Sequence, residues 1–230
     1  MSRLAKLLTW TFLVTLCFGF RVFPEKWDIS KSDPTIWIKF CDTNYSIEEN
    51  DLESGDPLAG ISGLTFNQVV QSIIDDYNNI PTSFLRLALY PSDPNNPGSP
   101  VAGDSAFTIE KASQRTIEIC FGGTDAAAGV SGGHAKPTFE GRKIVRCEIK
   151  AKPEHTKKAK FLTHLLAHEL GHCFGLEHPQ ESTNSVMSYF GNAIPRLGND
   201  DASGITFGYP EEEAYGSESY TLGLTGCSPK

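Results

Sequence analysis

HELGHCFGLEHP, residues 168–179, gathers three of the chain's six histidines, one acidic residue of the helix body and two glycines into twelve positions. From Thr156 to Phe174 the apolar residues Phe161, Leu162, Leu165, Leu166, Leu170 and Phe174 wrap most of a helical circumference. That pattern predicts a buried helix. His168 and His172 stand four residues apart, about 40° round such a helix, so both imidazoles leave one face. Two neutral imidazoles at that spacing form a chelate for Zn²⁺, which takes nitrogen ligands at about 2.0–2.1 Å in tetrahedral geometry. Glu169 projects beside the same face, placed to act on a water at the metal rather than to ligate it. Gly175 ends the helix by taking a left-handed conformation. The chain can then swing His178 back as the third ligand, and Pro179 stiffens the exit. Three protein ligands leave a fourth position for water, as catalysis requires. The competing reading, three core histidines and a glutamate without a metal, would bury unpaired polar groups at high cost.

The rest of the chain sets the context. Its 230 residues, 39% of them hydrophobic, suffice for one sizeable core. A net charge of −8 argues against nucleic acid as a partner, since phosphate binding needs a basic surface. Arg3 and Lys6 precede an apolar run from Leu7 to Phe20. This has the form of a secretory signal and is short for a stable membrane span. Cleavage after Gly19 is expected. A buried N-terminal helix is the alternative, but the run lacks a polar stripe. A lipid anchor on Cys17 is disfavoured by the bulky Leu16.

Export makes disulfides available. Loss of Cys17 leaves Cys41, Cys120, Cys147, Cys173 and Cys227, an odd number, so one thiol stays free or pairs elsewhere. Strands are expected at 35–40, 84–90, 115–121 and 143–149, with a short edge strand from Gly129 to Ala135. A helix is expected over 65–77, where Phe66, Val69, Val70, Ile73, Ile74 and Tyr77 fall at helical spacing. Strands interleaved with helices indicate an α/β or α+β domain. His164, one turn before His168, is read as packing or as support to the site rather than as a ligand. His155 is read as solvated.

HELGHCFGLEHP resembles the HExxHxxGxxH zinc signature of the metzincin metallopeptidases. SVMSYF, which follows, is similar to the Met-turn of that clan, with Met187 as its methionine. KWDISKSDPTIWIKF resembles the entry and first strand of a matrixin catalytic domain. VSGGHAKP is similar to the matrixin substrate-binding edge strand, and NDDASGITFGYP to the final helix. Three departures stand beside these likenesses. Only about fifteen residues separate the signal from the first strand, where a matrixin carries a propeptide whose cysteine caps the zinc. His134 falls at the place of a structural-zinc ligand without the other histidines of such a site. Tyr189, two residues after Met187, copies the astacin and serralysin branches.

The resemblance implies an α+β, zincin-like fold: a twisted, mostly parallel five-stranded sheet with a central active-site helix, and a small irregular C-terminal lobe. It divides the chain into a signal (1–19), a short N-terminal segment (20–34), a catalytic domain (35–210) and an acidic tail (211–230). It implies a secreted, monomeric zinc endopeptidase acting on extended protein or peptide substrates. One Zn²⁺ would be held by His168, His172 and His178, with Glu169 as general base and Tyr189 as a donor to the oxyanion. A Ca²⁺ ion at Asp125 and neighbouring carbonyls is a minor alternative. The rival function is a non-catalytic zinc-containing binding protein, an adhesin or inhibitor, against which the intact Glu169 speaks. The resemblance also sets the strands carrying Cys120 and Cys147 side by side, which makes that pair a candidate bridge and Cys173–Cys227 a second. Asp28 or Asp33 capping the zinc is weighed against plain turn or surface roles, which are favoured.

Overall fold

The computed structural model describes residues 21–41, 46–90, 115–121, 132–152, 157–179, 183–188 and 193–211. The main sheet is built from β3 (Thr35–Phe40), β4 (Arg86–Leu89), β5 (Thr116–Phe121), β6 (Gly133–Glu140) and β7 (Lys143–Ala151). β4, β3, β5 and β7 run parallel in that order, and β6 closes the far edge antiparallel to β7. A two-residue strand, β2 (Lys26–Trp27), adds a sixth, parallel member at the start of β7. A separate ribbon pairs β1 (Arg21–Val22) with β8 (Leu176–Glu177). This is the mostly parallel α+β arrangement that the resemblance implies.

The parallel strands are rich in Ile, and Ile36, Ile38, Ile117, Ile119, Ile144 and Ile149 are all essentially inaccessible. Strands buried in this way suit β-branched side chains on a pleated surface. Helix α1 (Phe66–Asn78) starts at a capping box in which Thr65 Oγ1 accepts from the Gln68 amide, while the Gln68 side chain accepts from the Thr65 amide. All six apolar positions named for it are buried. Helix α2 (Ala159–Cys173) packs beside it. The Tyr77 hydroxyl donates to the Ala167 carbonyl at 2.8 Å, and its ring meets Phe174 edge-on. Helix α3 (Asn199–Gly208) is the last helix among the described residues. Ahead of it, Arg196 binds Asp56 through two bonds and Asp76 through a third, tying residues 193–198 to α1 and the loop before it.

Three expectations need correction. The edge strand lies further along than Gly129–Ala135. It starts at Gly133 and runs to Glu140, through Pro137, because a strand paired on one side only can hold a proline. Cys120 and Cys147 do lie on neighbouring strands, but Cys120 stands opposite Lys150 and Cys147 opposite Ile117. An offset of three residues puts them on opposite faces of the sheet, out of reach. The disulfides are instead Cys41–Cys120 and Cys147–Cys173. The second takes up Cys173, so the Cys173–Cys227 pairing falls as well; Cys227 lies outside the described residues. Asp28 and Asp33, by contrast, keep the surface and turn roles favoured for them. Asp28 pairs with Lys143 at 2.7 Å and Asp33 with Arg115 at 3.0 Å.

Candidate metal centre and active-site cleft

Helix α2 places His168 and His172 on one face, as the four-residue spacing requires, and their rings meet edge-on with centroids 4.8 Å apart. Gly175 has φ +91°, a conformation that side chains other than glycine rarely adopt. A Cβ there would also stand 3.3 Å from the Glu25 carbonyl. Past this turn His178 returns to the helix, and its Nε2 lies 3.1 Å from Nε2 of His168. One ligand nitrogen from each of the three rings falls within 4.8 Å of the others.

The far sides of two rings are tied off. His168 Nδ1 lies 2.6 Å from the Val186 carbonyl and His172 Nδ1 2.8 Å from the Leu176 carbonyl. A carbonyl only accepts, so each Nδ1 carries the proton and each Nε2 offers a lone pair inward. Burial, and the neighbouring histidines for each ring, hold all three pKa values down to about 4. The imidazoles are therefore neutral near pH 7, the form that binds metal. In a tetrahedral zinc site, bonds of 2.0–2.1 Å put ligand nitrogens roughly 3.3 Å apart. The donor set and its convergence fit one zinc ion.

Glu169 is 4% exposed, and burial pushes its carboxyl up from 4.5 to about 7, against the opposing effect of a hydrogen bond from the Ala135 amide. The carboxyl and the three imidazoles open into a cleft of about 640 Å³. Strand β6 forms one wall through Ala135, Pro137 and Phe139, and Phe161 and His164 stand along the helix side. Phe139 is 46% exposed.

Beneath the histidines lies the turn at Ser185–Ser188. Met187 is 2% exposed and fits against Gly171, where an added Cβ would come 2.3 Å from the methionine sulfur. Asp201, on α3 and 2% exposed, holds this turn. Its carboxyl accepts from Ser185 Oγ at 2.5 Å, from the Val186 amide at 2.9 Å and from the Gly198 amide at 2.7 Å. A chain of contacts thus runs from Asp201 through Val186 to His168. The sequence reading missed Asp201. An acidic residue in the first helical turn is usually just a favourable end charge, and only the fold brings it under the turn.

His164 lies in the cleft wall with Nδ1 at 3.0 Å from the Ile194 carbonyl, outside the three-nitrogen cluster, in keeping with a supporting role. Among the described residues His134 joins no metal-binding cluster. Cys41, Glu118 and Cys120 also come close together. There, however, the sulfurs are joined, and Glu118 pairs with Lys39 and Arg146. Tyr189, Asp125 and His155 lie outside the described residues.

The family model described as Matrixin matches residues 25–210. The chain belongs to the matrixin family. Membership and the converging histidines together make it a zinc metalloendopeptidase rather than a non-catalytic zinc binder. No curated protein matches it. Among solved structures, the GM1-bound form of the ECX AB5 holotoxin matches at 11% identity over 84% of this chain and 85% of that one, with a TM-score of 0.46. That likeness is too distant to carry an argument.

Proposed function

We propose that His168, His172 and His178 are the zinc ligands of this matrixin and that Glu169 is its general base. When bound, the ion supplies a Lewis acid that polarises a carbonyl and acidifies water. The protein's own part rests on Glu169, and its burial is the observation that carries the proposal. A carboxyl near pKa 7 takes a proton from the attacking water and returns it to the leaving amine without a large energetic mismatch. The Ala135 amide fixes the carboxyl's position at the edge of β6. Among the described residues β6 pairs on one side only, with β7, so an extended peptide can add as an antiparallel strand along the cleft.

Export and a monomeric state are proposed with this reading. The charged start and apolar run of residues 3–20 support export, as do the two disulfides. Tyr189 is proposed as the oxyanion donor because it follows by two residues Met187, whose side chain packs against Gly171 of the histidine helix. Glu169→Gln tests the central assignment. The variant should keep one zinc per chain and lose 10²–10⁴-fold in turnover of a peptide substrate, roughly the range general acid–base catalysis supplies. Loss of the metal together with activity would make Glu169 part of the binding shell instead.

A further inference from the structure

The ribbon formed by β1 and β8 touches the metal centre at two points. β8 begins one residue after the glycine turn, and His178 follows it directly. Leu176, within β8, supplies the carbonyl that His172 Nδ1 binds. Across from it stands Val22, with Arg21 opposite Glu177, and the Phe23 amide donates to the Gly175 carbonyl at 2.7 Å. Further along the same N-terminal segment, the Trp27 indole donates to the Cys173 carbonyl at 2.7 Å. Cys173, Gly175, Leu176 and Glu177, four of the six residues from Cys173 to His178, are therefore bonded to or paired with the segment from 21 to 27. A two-residue strand has little stability of its own, so β8 needs its partner to hold a fixed path.

We infer that strand β1 positions two of the zinc ligands: it fixes the Leu176 carbonyl that orients His172 and the path that delivers His178. The N-terminal segment is thus a brace for the metal site, where the aspartates downstream of it do not form a cap. Chain lost up to Phe23 would leave both ligands intact in sequence and loosen their geometry. Coupling of this kind is reciprocal. If pairing of β1 strengthens zinc binding by some factor, zinc strengthens the pairing by the same factor.

This inference rests on the ligand assignment above, and the experiment separates the two. Zinc alone is the probe, and affinity is measured by competition with a chromogenic chelator, with no substrate present. Phe23→Pro removes the amide that donates to Gly175, whereas Phe23→Ala keeps it and removes only the ring that borders the cleft. A chain starting at Pro24 removes β1 altogether. Phe23→Pro and the shortened chain should bind zinc at least tenfold more weakly than the intact chain. Phe23→Ala should stay within about threefold. In the unaltered protein, hydrogen exchange at the Phe23 amide should slow at least tenfold on zinc loading, a reading that does not depend on any variant folding. Equal affinity across folded variants, or Phe23 exchange indifferent to zinc, would overturn the brace. An intact chain that binds no zinc would instead overturn the ligand assignment.

Discussion

Helix α2 and the segment from Ser185 to Asp201 hold the same histidines by different means. The helix does so locally. Four residues of spacing set His168 and His172 on one face, and a glycine turn brings His178 back within ten residues of the first ligand. The lower segment works at long range. Asp201 grips a turn some fifteen residues before it, and that turn presents the Val186 carbonyl to His168, eighteen residues earlier still. The helix determines which nitrogens can meet a metal; the lower segment determines which way one of them points. The contacts that orient His168 therefore lead back to a carboxyl that touches none of the three histidines.

The sharpest way to break this division of labour is at Asp201. Asp201→Ala strips the partner from the Ser185 hydroxyl and the Val186 amide, both in the buried turn, and from the half-buried Gly198 amide that starts α3. Leaving several such groups unsatisfied costs about 2–4 kcal/mol. Urea unfolding of the zinc-free protein at fixed pH should show a loss of that size, with weaker zinc binding beside it. A loss below about 1 kcal/mol would mean that the turn is held by Met187 packing and not by the carboxyl.

The same contrast explains what was legible in the sequence. Local periodicity is enough to read α1, α2, the ligand spacing and the glycine stop, because side-chain direction on a helix follows from residue number alone. Strands β3, β5 and β7 also announce themselves by runs of β-branched residues. Pairing partners do not. Cys120 and Cys147 were placed on adjacent strands from the family likeness, but their three-residue offset depends on register, which no single strand encodes. The edge strand's reach through Pro137 was hidden for a related reason. A proline argues against a strand until it is known that the strand lies at an edge. Asp201 and β1 act only across the fold, so their roles emerge from the structure.

A smaller effect separates the helix's acid from its bases. In the metal-free protein, the folded-state pKa of Glu169 is raised to about 7 and those of the three histidines are lowered to about 4. The histidines bind fewer protons folded than unfolded between about pH 4 and their ordinary 6.5, so stability falls on acidification through that window. Glu169 works in the other direction. Folded, it binds more protons between 4.5 and 7, so its contribution is present at low pH and lost as pH rises through 7. Glu169→Gln should therefore leave the profile unchanged below about pH 4.5 and steepen the rise in stability from there to pH 7, where the carboxyl no longer opposes the histidines. It should also raise stability above pH 7 by on the order of 2 kcal/mol relative to the parent chain. Parallel profiles on both limbs would show that burial does not tune this carboxyl.

The smallest expected effect concerns Tyr189, two residues beyond the methionine that packs under Gly171. With Glu169 proposed as base and the three histidines as metal ligands, no other group is assigned as hydrogen-bond donor to the negatively charged oxygen. A phenol hydroxyl from the lower segment would fill that role, giving the long-range half of the site a part in chemistry and not just in support. A donor of this kind acts most strongly in the transition state, so its loss lowers turnover more than substrate affinity. Tyr189→Phe keeps the ring and removes the hydroxyl alone. We expect turnover to fall about tenfold, corresponding to about 1.4 kcal/mol, with KM shifted less than threefold and zinc retained. If steady-state kinetics of the folded, zinc-loaded variant match the parent, Tyr189 is a packing residue, and the lower segment's contribution ends at orienting His168.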